Sequence, residues 1–349
     1  MSYFNNFPTT QKTPGIPNLQ MNAPIAPKHV EGCVGLELEI EGRDLPQPGE
    51  FPRTMSCPTT GARWSGHADG SLRGENLEYV LDRPASIEGA ADLVERLFLF
   101  FREKGTKLTL SNRCSTHVHL NVSNWKVNQI SAFLALWSAV EPALIEWCGI
   151  ERKSNHFCLG IEDTTAVLDS WATFLETGRI DFPNGQKYTA LNPLHLFDFG
   201  SLEVRCGRAP DNARDVINWT KLLWALRELV AEEFNNPASV AELVSMERAS
   251  GILRRACDKA GIPEFFDELS RACPDMDSRG HATFREAQRI CCAFPWADWI
   301  VLCEKKYIPN PFAPASKRQI ARDPGLEINR LRDLDERIIR PAPRPNDNF

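Results

Sequence analysis

The sequence has no apolar run of the length needed to span a bilayer. Stretches such as "ALWSAV" stop far short, so no membrane segment is expected. It has no charged start followed by an apolar core, so no secretory signal is expected. It also lacks excess positive charge: Lys plus Arg is 40 against 46 for Asp plus Glu, a net −6. Gripping nucleic acid with a whole surface needs a positive field, so nucleic acid is not an expected partner. Several motifs are missing too. No CxxC pair accompanies the 11 scattered cysteines, which argues against a zinc knuckle or thioredoxin-type site and for reduced thiols in a cytoplasmic protein. There is no GxxxxGK[ST] loop and no GxGxxG, so any nucleotide is held without a P-loop or Rossmann turn. HExxH and GxSxG are missing as well, which weakens a zinc protease or a serine hydrolase.

What is present has the composition of a globular protein with room for a sizeable core. Residues 1–28 are rich in Pro, Asn, Thr and Gln without a period, and are expected to be a disordered arm. Residues 306–349 form a Pro/Arg-rich tail, with one short helix expected near residues 327–339. Between them the pattern predicts an α+β domain over 29–235 and a helical extension over 236–305. Period-two alternation marks strands at "VGLELEIEG", "NLEYVLD", "STHVHLNV", "KYTALN" and "SLEVRCG". Helical periods run from Ser86 to Lys104, stopped by Gly105, and from Val127 to Cys148, stopped by Gly149. A third follows the last strand. Pro142 inside the second predicts a kink or break.

The first strand carries the most information. Successive side chains alternate faces, so Val34, Leu36, Leu38 and Ile40 share the core face while Glu37, Glu39 and Glu41 share the other. Same-face neighbours lie roughly 7 Å apart, and two carboxylates at that spacing repel by about 2 kcal/mol at an effective dielectric of 20. Either water screens this face or cations sit between the carboxylates. The pattern then recurs. His117, His119 and Asn121 oppose Thr116, Val118 and Leu120; Glu203 and Arg205 oppose Leu202, Val204 and Cys206; Glu78 opposes Leu77 and Tyr79. In one sheet these would form a single surface rich in Glu and His, a donor set suited to Mg or Mn rather than zinc. Without metal, Glu37→Gln or Glu203→Gln is expected to raise stability by relieving repulsion. The face residues are compatible with a phosphate-handling ligase, with a carboxylate-dependent metallohydrolase, and with a non-catalytic binding or assembly protein.

The ordered series "GLELEIEG", "DGSLRGENLEYV", "STHVHLNV", "KYTALN" and "SLEVRCGR" resembles the amidoligase family, carboxylate–amine ligases related to glutamine synthetase and glutamate–cysteine ligase. The resemblance spans about residues 30–235. It implies an antiparallel sheet curved into a funnel and backed by helices, with ATP and Mg (or Mn) on the concave polar face. It implies small-molecule or peptide carboxylate and amine substrates joined through an acyl phosphate. By motif, Glu37, a histidine of "HVH" and Glu203 would hold one metal, and Glu39 and Glu78 another, with Asp69 nearby. "HLNVS" is similar to a His-x-Asn-x-Ser run of glutamate–cysteine ligases and favours His119 as the ligand. His117 remains the alternative and is otherwise assigned to the nucleotide. Arg205 and Glu203 would be catalytic, with Arg205 and Lys187 on the phosphates and Asn192 and Arg152 on the substrate. Glu41 would rim the site or serve as a further ligand. His67, His156, His195 and the cysteines are expected to be incidental.

Overall fold

The computed structural model describes residues 30–109, 111–177, 187–196, 199–287 and 290. The N-terminal arm, the end of the helical extension and the tail with its expected helix lie outside them. Seven strands are formed: β1 (Val34–Arg43), β2 (Trp64–His67), β3 (Asn76–Leu81), β4 (Lys107–Thr109), β5 (Ser115–Asn121), β6 (Leu191–Asn192) and β7 (Ser201–Gly207). They make one antiparallel sheet in the order β2-β3-β1-β5-β7-β6, with β4 pairing the end of β1.

The α+β class and antiparallel sheet are as expected, but the funnel is not. The sheet is neither closed nor strongly curled. Its two edges are short, four residues in β2 and two in β6. The expected "KYTALN" strand shrinks to Leu191–Asn192 because the chain before it pairs elsewhere. Leu159 N donates to Tyr188 O and Ala190 N to Leu159 O, both at 2.8 Å. β2 and β4 were not read from the sequence; each is too short to show a period.

Seven helices accompany the sheet: α1 (Ile87–Lys104), α2 (Val127–Cys148), α3 (Ala166–Thr177), α4 (Ala213–Glu232), α5 (Pro237–Lys259), α6 (Pro263–Ala272) and α7 (Met276–Phe284). α1 has the signals that were legible in sequence. The Ser86 hydroxyl caps Gly89 N at 3.1 Å, and Gly105 ends the helix with φ 72°. The apolar face of the sheet is fully buried, including Val34, Leu36, Leu38, Val118, Leu120, Leu202 and Val204. Leu36, Val94 of α1 and Ile217 of α4 line one seam there. Trp147 of α2 stacks on Trp219 of α4 with centroids 5.4 Å apart and meets Phe265 of α6 edge-on at 4.8 Å. Trp137 is buried with them, while Trp224 is only half-buried. The eight described cysteines are all free.

α2 is long and apolar enough to match a membrane span by length and composition, yet it is buried inside the fold. It also runs through Pro142 as one helix, without the break that was one of the two expected outcomes there. A proline has no N–H to give the carbonyl four residues back, here Ser138. Thr283 of α7 supplies the missing donor: its hydroxyl bonds Ser138 O. Gly280, one turn earlier on α7, lets the two backbones meet; a Cβ there would sit 2.2 Å from Ala139 O. The helices after residue 236 thus pack on α2 and close its proline gap.

Two substitutions test this docking. Thr283→Val leaves a buried carbonyl unpaired and should cost about 1–3 kcal/mol. Gly280→Ala should cost a similar amount, about 1–3 kcal/mol, through overpacking. Urea denaturation reads both; full wild-type stability in each variant would show that α7 does not complete α2.

Candidate active site

The register of the sheet assembles the polar face. In an antiparallel pair, residues directly opposite share a face. One row therefore crosses four strands: His67 pairs Glu78, Glu78 pairs Glu39, and Glu39 pairs Ser115. A second row joins Glu37 to His117. A third joins His119 to Glu203 and Glu203 to Asn192. Between Thr116 and Val118 the β5–β7 register shifts by a bulge. That shift falls beside Arg205, whose Nη1 turns back to bond Glu203 Oε1.

The expected residues come together. Single ligand atoms of Glu37, His119 and Glu203 lie within 4.8 Å of one another, as do those of Glu39, Asp69 and Glu78, and those of Glu37, Glu78 and His117. His117, almost fully buried, bridges Glu37 Oε2 at 3.1 Å and Ser115 Oγ at 2.7 Å. The Ser115 hydroxyl in turn donates to Glu39. His119 Nε2 meets Glu37 Oε1 at 3.0 Å, and its Nδ1 meets Ser201 Oγ at 3.2 Å. Asp69 is held by its turn: its Oδ1 accepts from Ser71 N at 2.6 Å, and its own N donates to Asn76 Oδ1 at 3.1 Å.

The two ends of the face differ in charge balance. At the Glu203 end, burial pushes the carboxyl up, but His195, His119 and Arg205 more than offset it and hold Glu203 at about 2. Burial likewise works against Glu37, and hydrogen bonds from His117 and His119 hold it well below the usual carboxylate range. His119 is raised: burial opposes its charge, and the Glu37 bond with Glu203 nearby outweighs that. At the other end carboxylates crowd together. Burial, with Glu37 and Glu39 beside it, pushes Glu78 up to about 7. The expected apo repulsion is therefore real at Glu78 and is reversed at Glu37 and Glu203, where cationic neighbours outnumber it.

The structure turns Arg152 and Asn192 inward and places Glu41 and Lys187 as follows. Arg152 does not face a substrate: it is buried, and its guanidinium donates to Arg205 O at 2.9 Å and Asn112 O at 3.5 Å, tying two site-bearing segments together. Asn192 is also turned inward, with Nδ2 on Glu203 Oε2 at 2.5 Å and Oδ1 accepting from Leu194 N at 3.0 Å, so it positions Glu203. Glu41 is engaged on Arg73 N at 2.8 Å and steadies the turn after Asp69. Lys187 is exposed, with Nζ 4.7 Å from the Tyr188 ring centroid.

Residues 84–226 match the family model described as "Putative amidoligase enzyme". The amidoligase match covers His117, His119, Arg152, Lys187, Asn192, Glu203 and Arg205. It begins after β1 and β3, so Glu37, Glu39, Asp69 and Glu78 lie outside the matched residues and meet them through strand pairing and side-chain contacts. No curated protein matches the chain.

Three polar residues of the face went unrecognised in the sequence. His195 Nε2 lies 3.4 Å from Glu203 Oε2, and its ring is 5.3 Å from that of His119 and stacked on Phe199. His67 Nε2 lies 2.8 Å from Glu78 Oε2. Ser115 was readable, since alternation puts it with His117 and His119; the two histidines sit in a turn and a four-residue strand, where no period exists to read.

The charge imbalance has a pH signature in metal-free protein. Glu78, raised to about 7, costs stability above that pH, and the cost fades as pH falls toward the ordinary 4.5. Glu203, lowered to about 2, adds stability above 4.5 that is lost as pH falls toward 2. In EDTA at pH 8, Glu78→Gln should raise Tm by about 2–4 °C and Glu203→Gln should lower it. The Glu78→Gln gain should vanish below pH 4.5. A lower Tm for Glu78→Gln at pH 8 would refute the crowding.

Proposed function

We propose that the protein is an ATP- and Mg-dependent carboxylate–amine ligase that forms an amide bond through an acyl phosphate. The observation that carries this reading is the pair of donor sets on one sheet face, Glu37/His119/Glu203 and Glu39/Asp69/Glu78, beside Arg205 and within reach of an amidoligase match. The donors fit the ion: carboxylates with one imidazole suit a hard divalent cation such as Mg or Mn. The crowding that raises Glu78 is the charge such an ion would neutralise. Bound there, Mg would offset charge on the transferring phosphoryl oxygens.

The chain's own residues do the rest. Glu203 is fixed from four directions by Asn192, His195, His119 and Arg205, so its carboxylate is preorganised. Arg205 keeps one Nη on Glu203, while its buried Nε has no partner among the described residues. A guanidinium so held is poised to bond phosphoryl oxygens as charge grows on them. Burial works against its charge, and Glu203 and Glu39 keep it protonated. In the reaction the substrate carboxylate oxygen attacks the terminal phosphorus of ATP and ADP leaves. The amine nitrogen then attacks the acyl carbon, phosphate leaves, and one proton is released. Lys187, exposed near β6, is assigned to the phosphates as a second cation, and His117, whose Nδ1 lies 3.1 Å from Glu37 Oε2, is assigned to the nucleotide.

Coupled detection of ADP tests this against a panel of amino acids and short peptides. ADP should appear only when an acid and an amine are both supplied, and Glu37→Gln or Glu203→Gln should reduce the rate on the order of a hundredfold or more. ATP with Mg at 100 times its Kd should stabilise the fold by about 2.7 kcal/mol. Turnover of a phosphate or amide without ATP would instead identify a metallohydrolase. Undiminished biological function in Glu37→Gln, His119→Ala and Glu203→Gln would identify a binding protein.

A further inference from the structure

The residues on either side of the buried Arg152 line a cavity of about 510 Å³. Glu151 and Lys153 form one wall with His156 and Phe157; Arg73 and Arg113 form the others. That volume falls in the range of small-molecule sites. The walls are built from the segments that carry the active-site residues. Arg113 Nη1 donates to Ser71 O at 2.5 Å, joining the turn of Asp69 to the approach of Ser115. Arg73 N is the group that bonds Glu41. Arg152 ties the 151–157 loop to Asn112 O and to Arg205 O. The cavity walls therefore adjoin the segments that carry Asp69, Glu41, Ser115 and Arg205.

Its charges are arranged, not merely positive. Lys153 pairs with Glu146 at 2.6 Å and shares that carboxylate with Arg279. Arg73 and Arg113 have no ion pair among the described residues, and neither has Glu151. The Arg113 guanidinium lies 5.9 Å from the Phe157 ring centroid, within cation–π range. The loop is internally fixed: Asn155 Nδ2 donates to Glu151 O at 2.8 Å and to Asn112 O at 3.2 Å, and its Oδ1 accepts from Phe157 N at 3.0 Å. Two guanidiniums, one carboxylate and an aromatic floor complement a zwitterion that carries an extra carboxylate. A polyphosphate suits it poorly, because Glu151 would repel it.

We propose that this cavity binds the non-reacting end of the carboxylate substrate, an acidic amino acid or short acidic peptide. A second carboxylate lies on Arg73 and Arg113, the ammonium group faces Glu151, and the reacting carboxylate extends onto the metal-donor face. The assignment of the reacting end rests on the ligase reading above; the binding chemistry of the cavity does not.

Calorimetry with free glutamate and the dipeptide Glu-Glu tests the proposal, with Gln-Gln amide, which keeps the ammonium and has no carboxylate, as the control. The acidic probes should bind the wild-type protein and the amide should not. Arg73→Gln should weaken Glu-Glu at least tenfold while the Kd for ATP–Mg stays the same. Arg73 is exposed and its side chain supports no turn, so this variant should fold normally; Glu151→Gln, at the ammonium end, provides a second reading. The proposal is overturned if neither acidic probe binds, if Glu-Glu affinity survives both substitutions, or if ATP–Mg affinity falls in step with it, which would make the cavity a nucleotide subsite. Tight Glu-Glu binding without any ATP–Mg binding would instead sink the ligase reading and leave the cavity assignment standing.

Discussion

A buried carboxylate has to be met by donors, and Glu203 dictates how much of this structure is arranged. It is 1% exposed, which without partners would be too costly to keep ionised. Asn192, His195 and Arg205 reach it from β6, the turn after it and β7, and the two histidines of β5 come from the neighbouring strand. Each donor needs its own segment in place. β6 must pair with β7 for Asn192 to arrive, and the β7 bulge must form for Arg205 to turn back. Arg152 then holds the Arg205 backbone from behind. The amidoligase match falls on this end of the face and includes every one of these residues.

The opposite end is built the other way. Glu39, Asp69 and Glu78 crowd within ligand distance, with His67 and Ser115 as their polar neighbours. Arg205 acts on them only at a distance through Glu39, keeping its bond on Glu203, and Glu78 holds its proton up to about pH 7. An internally compensated carboxylate cluster beside an uncompensated one is a polarised surface. Within the fold, the compensated half is stable by itself, while the uncompensated half gains most from a mobile cation. That asymmetry follows from placing Arg205 and three histidines on β5, β7 and the turn between β6 and β7, and only carboxylates with one exposed histidine on β1–β3 and their turn.

Alternation made the face legible. Reading β1, β3, β5 and β7 by period two was enough to say which side chains point together, because a strand buried on one face allows only one register of apolar residues. It was not enough to say which charges would touch. Register depends on hydrogen-bond pairing between segments far apart in sequence, and the bulge beside Arg205 has no local signature. His195 and His67 were passed over because they lie in elements too short to carry a period. Arg152 and Asn192 were placed on substrate because polar residue type was legible while burial was not. Pro142 shows the same limit from the core side: its local chemistry does disfavour a helix, and the compensation comes from Thr283, over a hundred residues away.

The inward turn of Arg152 also explains how binding and chemistry are coupled in space. A guanidinium bonded to two backbone carbonyls cannot greet a ligand, yet it fixes the loop on which Glu151, His156 and Phe157 stand relative to the strand that carries Arg205 and Glu203. Arg113 does the same for the turn that carries Asp69. The cavity and the donor face thus share the same backbone segments, tied by two arginines. Because the ties run through backbone carbonyls, a side-chain substitution at Arg73 or Glu151 changes the cavity's chemistry and leaves the scaffold alone. Replacing Arg152 would instead loosen both at once.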